Sequence, residues 1–498
     1  MADKKALTAL AVVCLFVFLL ASCVNTGTDA DKLTVTFETG VEGVVVAPLK
    51  AAAGAQISPP VSPVRAGYRF EGWQYEGNPY AFSVMPAADI TLTAQWTRVF
   101  ASLHIDLQGA GGQVFPLDLV DRENYVSSTV RVEDAYGSHS LDAVPAEFRG
   151  RGHGSWDSDK RGYRIKFASR QPLLGNPPSR HWVILACVNF GDTTLARNSI
   201  AFGLAREVFD AVEYTTSAKW ADVYVNGAYR GVYLVCEHVR ADSDRVDIPV
   251  EFGVADTGYL VEYDAYAAGT EGIHYFRVPG VKYPFTVKSP DPDDYLDEGI
   301  TAAQYRAQVS YIQSHVTNVY TAALSKNFAA FSQYADVDSF VDMYILHEYL
   351  KNTDTGWSSF FLYKRPGEKL RAGPAWDFDA SAGVSRGDSS PEGIYVAGSA
   401  QLHSPETYSH LFVSLMDTPG FKAAVVARWK VLSPRITAFA ADALSDAFIA
   451  QHSKAMGKNF VRWNYDAPGI AERNWARDTE ALRQWLLQRA LWLDTEWR

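Results

Sequence analysis

The stretch Lys351–Gly383 reads K-N-T-D-T-G-W-S-S-F-F-L-Y-K-R-P-G-E-K-L-R-A-G-P-A-W-D-F-D-A-S-A-G. An apolar run, Phe360–Tyr363, is followed by Pro366-Gly367 and a second run, Leu370–Ala375. Two β-compatible runs around a Pro-Gly turn predict a hairpin. Asp354 lies just before the first run, and Asp377 and Asp379 lie just after the second. A hairpin brings its ends together, so the carboxylates of Asp354 and Asp377 are expected at its open end. That suits phosphoryl transfer, where one carboxylate handles the attacking hydroxyl and another holds a divalent cation on the nucleotide phosphates. An Asp in a loop also serves as a cap or turn former. The pairing at a hairpin mouth, interleaved with Trp376 and Phe378, is what raises the chemical reading beside that one.

The run N-T-D…S-F-F-L-Y…G-P-A-W-D-F-D-A-S-A-G resembles the core of the CotH family of spore-coat protein kinases, from about Ala101 to the C-terminus. The resemblance implies an α+β, atypical two-lobed kinase-like domain that uses ATP with Mg²⁺ or Mn²⁺. It implies Asp354 as the catalytic residue and Asp377 as a metal ligand, with Asp379 beside it. Many members carry an Asn five residues after the catalytic Asp; here that position is Ser359, a shorter ligand.

A second segment agrees in order. Phe148–Trp156 reads F-R-G-R-G-H-G-S-W, with glycines at 150, 152 and 154 that allow close backbone approach to a ligand. It resembles the family's R-G-R-G-N-S-x-W, with His153 in place of the Asn. The family's K-x-x-Y-x-I-K-F follows as Lys160, Tyr163, Ile165, Lys166 and Phe167. By the kinase order of glycine loop, strand and strand lysine, Arg151 and Gly152 are expected at the nucleotide and Lys166 at a phosphate. A solvated strand lysine is the other reading of Lys166. Glu237 could pair with it in the same analogy, or be an ordinary surface Glu. Arg197-Asn198 matches the family's D-x-T-x-x-R-N.

The 498 residues exceed one ordinary core and predict two or three domains. Hydrophobic residues make up 47%, which points to globular structure. A net charge of −11 without a long basic run argues against a nucleic-acid partner. Lys4 and Lys5, an apolar run to Ala21 and the ending L-A-S-C have the form of a secretory signal, and that ending resembles a bacterial lipobox. Residues 1–22 are thus expected to be removed, Cys23 lipidated and residues 23–32 left as a tether. The expected protein is an exported bacterial lipoprotein, periplasmic or at the cell surface, touching the membrane only through that lipid. A transmembrane anchor is the competing reading. Cys187 and Cys236 sit in apolar runs and read as buried thiols, with a disulfide as the alternative.

Residues 33–97 form a separate β unit by pattern. L-T-V-T-F, G-Y-R-F-E-G-W and I-T-L-T-A-Q-W alternate as half-buried strands do. Their order resembles the internalin B-repeat module, which implies no catalysis, and Trp73 and Trp96 read as its core. The kinase-like domain is expected over 99–498, its N-lobe to about 290 and its C-lobe from about 291, with the Pro-Asp-rich segment Ser289–Glu298 as the boundary. Asp192-Thr193-Thr194 signals a helix start and Asn226-Gly227 a type I′ hairpin. Asp336 or Asp338 is expected to cap the helix that delivers Asp354, and His347 on it reads as a core histidine. Arg386–Pro405 reads as a loop beyond the metal Asp, where an activation-like or substrate loop would sit. The expected activity is transfer of the ATP γ-phosphoryl to a Ser/Thr hydroxyl of a protein substrate. The opposing class is a non-catalytic adhesin or scaffold with a surface partner, favoured by Ser359 and by export to a place with little ATP.

Overall fold

The computed structural model describes residues 32–134, 137–188, 191–384, 389–398 and 409–497. The expected signal peptide and Cys23 lie outside these residues, as does most of the tether. The chain divides into two compact units. The first takes residues up to Val64 together with Phe70–Gln95; the second takes Arg65–Arg69 and Trp96 onward.

The first unit is all β. Its strands are β1 (Leu33–Glu38), β2 (Leu49–Ala51), β3 (Tyr68–Tyr75), β4 (Asn78–Pro79) and β5 (Ile90–Arg98). They form one sheet in the order β2-β1-β5-β3-β4, with β1 parallel to β5. Alternation puts Val35, Phe37, Leu92 and Trp73 inside, and the rings of Phe37 and Trp73 pack at 4.6 Å. Trp96 is only half-buried at the end of β5.

The second unit is α+β. It opens with β6 (Ser102–Leu107), β7 (Val126–Glu133), β8 (Leu141–Arg151), β9 (Gly162–Gln171), β10 (Ser179–Leu185), helix α1 (Arg197–Glu207), β11 (Ala218–Val225) and β12 (Ala228–Glu237). The strands close a barrel in the order β10-β12-β11-β6-β7-β8-β9. Every second residue of β9 and β10 points inward: Tyr163, Ile165 and Phe167, then Trp182 and Ile184. Val183 and Leu185, between them, face outward into a second core shared with Phe202 of α1, Phe361 and Trp376. Asn226 and Gly227 turn β11 into β12 with φ of 50° and 75°, as the Asn-Gly pair predicts.

A second sheet follows, built from β13 (Tyr259–Tyr263), β14 (Tyr275–Phe276), β15 (Phe285–Ser289), β16 (Phe360–Lys364) and β17 (Arg371–Ala372). Its order is β14-β15-β13-β16-β17. β16 and β17 are the hairpin around Pro366-Gly367, with Leu362 opposite Ala372. The expected lobe boundary at 290–291 is not an edge of this sheet. β13 and β15 precede it, β16 follows it, and β13 pairs with both along its length.

The helices cover this sheet. α2 (Ala302–Leu324) starts on a capping box of Thr301 and Gln304, α3 is Phe328–Tyr334, and α4 is Val337–Tyr349. Asp336 caps α4 by accepting from the Ser339 amide at 2.9 Å. α5 (His410–Met416), α6 (Pro419–Ala443), α7 (Asp446–Arg462) and α8 (Ile470–Glu496) complete the unit. Leu482, Trp485, Leu486 and Leu493 of α8 form its buried stripe against this core. Among the described residues no helix is long and apolar enough to cross a membrane.

Candidate active site

Asp354 sits on the turn that leaves α4, and this turn is braced from below. Burial pushes the His347 imidazole down to about 3, so it stays neutral, and its Nδ1 lies 2.8 Å from the Thr355 hydroxyl. His347 is thus a core histidine that supports the turn. Asn352 ties the turn to the far end of the hairpin. Its side-chain oxygen accepts from the Asp354 amide at 3.0 Å, and its Nδ2 donates to the Asp377 carbonyl at 3.1 Å.

The Asp377 end is held from the other side by the motif Asp192–Asn198. The Phe378 amide donates to Asn198 Oδ1 at 2.8 Å. The Arg197 guanidinium donates to the Ser381 carbonyl at 2.9 Å and the Ala382 carbonyl at 3.1 Å. The same guanidinium is paired with the buried Asp192 carboxylate. Asp192 does not cap α1, as its position suggested. It accepts from the amide and hydroxyl of Thr194, and the helix begins only at Arg197.

With both ends fixed, Ser359 and Asp377 face each other. The Ser359 hydroxyl donates to Asp377 Oδ2 at 2.9 Å. Both residues are in the left-handed region, with φ of 63° and 65°. Such backbone costs about 1–3 kcal/mol per residue and gathers at functional sites.

These residues open into a cleft of about 700 Å³ in the second unit. Its lining includes Asp354, Ser359, Asp377 and Asp379, together with Arg151 and Gly152. The glycine stretch is the end of β8 and the loop into β9. Gly152 has φ of +94°, and a Cβ on Gly150 would meet the Trp156 ring and the Asp121 carbonyl. Leu185, Val239, Phe361 and Trp376 supply an apolar wall.

Lys166 is not part of this cleft. It lies on the half-exposed outer face of the barrel, 3.4 Å from Glu147. The register explains the displacement. Arg151 is opposite Gly162, Arg149 opposite Arg164 and Glu147 opposite Lys166, so Lys166 is a full two-residue step beyond Arg164, which does line the cleft. Glu237 is neither its partner nor a surface residue; it is buried and pairs with Arg245 at 3.1 Å. The lysine that does line the cleft is Lys288 of β15, 2.7 Å from Glu262 of β13. Burial pushes the Lys288 ammonium down, but Glu262 more than offsets this and leaves it above its ordinary value. The signal for this pair was cross-strand: V-E-Y and V-K-S become neighbours only once β13 and β15 are paired. Cys23 lies outside the described residues.

Among the described residues no group of three or more His, Cys, Asp or Glu side chains is placed to hold a metal ion. Mg²⁺ does not need such a cage, because it binds through one or two carboxylates and completes its shell with phosphates and water. Asp377, Ser359 and Asp379 offer only hard oxygen donors, and that donor chemistry fits it.

Beyond the cleft, the segment 389–398 is fastened to the helices. The fully buried Glu348 of α4 accepts from the amides of Tyr395 and Ala397 and pairs with Arg489 of α8 at 2.8 Å. Parts of the expected 386–405 loop lie outside the described residues. Cys187 and Cys236 are free and buried.

No curated protein matches the chain. The Listeria-Bacteroides repeat domain matches residues 34–95, within the 33–97 unit whose strands resemble the internalin B-repeat module. The family model described as CotH kinase protein matches residues 147–493. That match takes in the glycine stretch, the Asp192–Asn198 motif and the hairpin with its carboxylates, and it covers well over half of the sequence: the chain belongs to the CotH kinase protein family.

Proposed function

We propose that this chain is an atypical, two-lobed protein kinase that transfers the γ-phosphoryl of ATP to a protein hydroxyl with Mg²⁺ or Mn²⁺. One observation carries the reading. A single cleft gathers the family's two carboxylates, Asp354 and Asp377, with the glycine stretch and a lysine paired to a glutamate. Asp354 accepts the proton of the attacking hydroxyl and aims it. Asp377, with Ser359 and Asp379, would hold the divalent cation. When bound, that cation neutralises charge on the phosphate oxygens. Arg151 and Lys288 add fixed positive charge toward the phosphates, and the wall of Leu185, Val239, Phe361 and Trp376 suits a flat base.

A non-catalytic scaffold is the second reading. It is favoured by the Ser359 hydroxyl, which occupies one Asp377 oxygen where many relatives offer an amide. Calorimetric titration with ATP and Mn²⁺, together with transfer to a generic acceptor, separates the two. Asp377→Ala is expected to lose metal-dependent nucleotide binding. Asp354→Ala should keep binding and lose transfer, and Ser359→Asn should hold or raise activity. Wild-type protein that binds no ATP at millimolar concentration refutes the kinase reading. We take the chain further for an exported lipoprotein held at a membrane through Cys23. Cys23→Ala should release it, and unchanged retention would count against the lipid.

A further inference from the structure

The cleft carries a second set of charges that phosphoryl transfer does not use. Arg122, Arg149 and Arg164 line it, and none of the three makes an ion pair among the described residues. Arg149 Nε and Arg164 Nε are buried without a hydrogen-bond partner. Asp121, near Arg149, already accepts from the amides of Glu123 and Asn124, and Glu123 pairs with none of the arginines. Arg149 and Arg164 are half-buried and meet the Arg122 carbonyl and His181 through their guanidinium groups, the exposed Arg122 donates to the Gly152 carbonyl, and a carboxylate or phosphate would add charge-assisted bonds to all three.

Arg122 and Arg149 are connected to the catalytic turn by an aromatic shelf, and Arg164 lies opposite Arg149 on the neighbouring strand. The Trp357 amide donates to the Asp354 carbonyl at 2.8 Å. The Trp357 ring meets Tyr266 edge-on at 5.8 Å, and Tyr266 stacks flat on His153 at 3.7 Å. His153 Nδ1 lies 3.4 Å from Arg122 Nη1, and the Arg149 guanidinium donates to the Arg122 carbonyl. Tyr266 is 45% exposed, so the shelf is open to a ligand. It runs from the residue that would receive the acceptor hydroxyl. Arg151, Lys288 and Asp377, which would serve the nucleotide, are separate groups of the same cleft.

We propose that Arg122, Arg149 and Arg164 form an acceptor-selectivity subsite that takes an anionic group, carboxylate or phosphate, on the polypeptide whose hydroxyl meets Asp354. The proposal rests on the phosphotransfer reading. The shelf holds the acceptor chain between the two points, and the guanidinium forks bind its anion.

The test uses the full chain and serine peptides flanked by Glu, by phosphoserine or by Lys. The wild type should favour the anionic peptides over the lysine peptide by at least about tenfold in kcat/KM. The Glu and phosphoserine arms tell which anion is preferred. Arg122→Glu with Arg149→Glu should reverse the preference while ATP–Mn²⁺ affinity stays level. Should that double variant fold poorly, the exposed Arg122→Gln alone should still narrow the preference. Wild-type indifference to peptide charge overturns the proposal. So does a loss of ATP affinity with unchanged peptide preference, which would assign the arginines to the nucleotide. Anisotropy of labelled peptides without nucleotide separates this from failure of the kinase reading. Arginine-dependent binding of the anionic peptides without any phosphotransfer keeps the subsite and removes the kinase. ATP binding without charge preference in either assay does the reverse.

Discussion

Arg197→Met removes the guanidinium that holds the chain just beyond Asp379. In the wild type, Arg197 is paired with Asp192 and donates to the carbonyls of Ser381 and Ala382 and to the Thr194 hydroxyl. The Asp192 and Arg197 side chains are 1% and 7% exposed. Removing one partner of such a pair leaves an uncompensated buried charge, which costs about 3–5 kcal/mol. Most of that cost is the stranded Asp192 carboxylate, so the double change Asp192→Asn, Arg197→Met should be more stable than Arg197→Met alone. The Asn oxygen can still accept from the Thr194 amide and hydroxyl, and the recovery should be at least about 1 kcal/mol. Urea unfolding followed by tryptophan fluorescence measures both variants by linear extrapolation. A loss below about 1 kcal/mol for Arg197→Met would refute the reasoning, because it lies under the cost of a single ordinary hydrogen bond. A double variant no more stable than the single would also refute it, since the stranded charge would then not be the cause.

Asn352→Ala should cost about 2 kcal/mol, about 1 for each hydrogen bond it makes to the Asp354 amide and the Asp377 carbonyl, and should lower phosphotransfer more than ATP affinity. Gly150→Ala should destabilise by about 1–3 kcal/mol in a melting experiment, because its Cβ would be driven into Trp156 and the Asp121 carbonyl. Lys160 gives a pH signature. It is fully buried, donates to the Ala186 and Val232 carbonyls, and is pushed by burial from 10.5 down to about 7. Between those values the unfolded chain holds a proton that the folded chain has released, so this contribution to stability rises with pH through that window. In urea titrations the wild type should therefore gain on Lys160→Met from pH 7 toward pH 10, and a constant gap would exclude the linkage.

The hairpin was legible because its information is local. Pro366-Gly367 forces a turn that pairs the two runs beside it, which carries Asp354 and Asp377 to one place. The NG turn and the Asp336 cap were legible for the same reason. The barrel was not, because it is closed by pairings that no short window contains. β6 runs parallel to β11, with Leu103 beside Val223, and β9 joins β10 through a register shift between Ser179 and His181. Lys166 failed on that account. Its place in the strand order fitted a phosphate lysine, but the register put Arg164 at the cleft and Lys166 a step outside. Lys288 was hidden in the same way, since its meaning depends on Glu262 in a strand that precedes it by more than twenty residues. The family motif with Arg197 and Asn198 was visible as letters, but its job, gripping backbone atoms nearly two hundred residues away, was not.

The order of the sheets has a consequence for self-association. The barrel has no outer strand at all. The second unit's open sheet ends in β14 and β17, of two residues each, and the repeat's sheet ends in β2 and β4, of three and two. A strand that short presents too few free amides and carbonyls to template another chain. At these four outermost strands, copies of the protein crowded at high local concentration find little free backbone on which to extend one another's sheets.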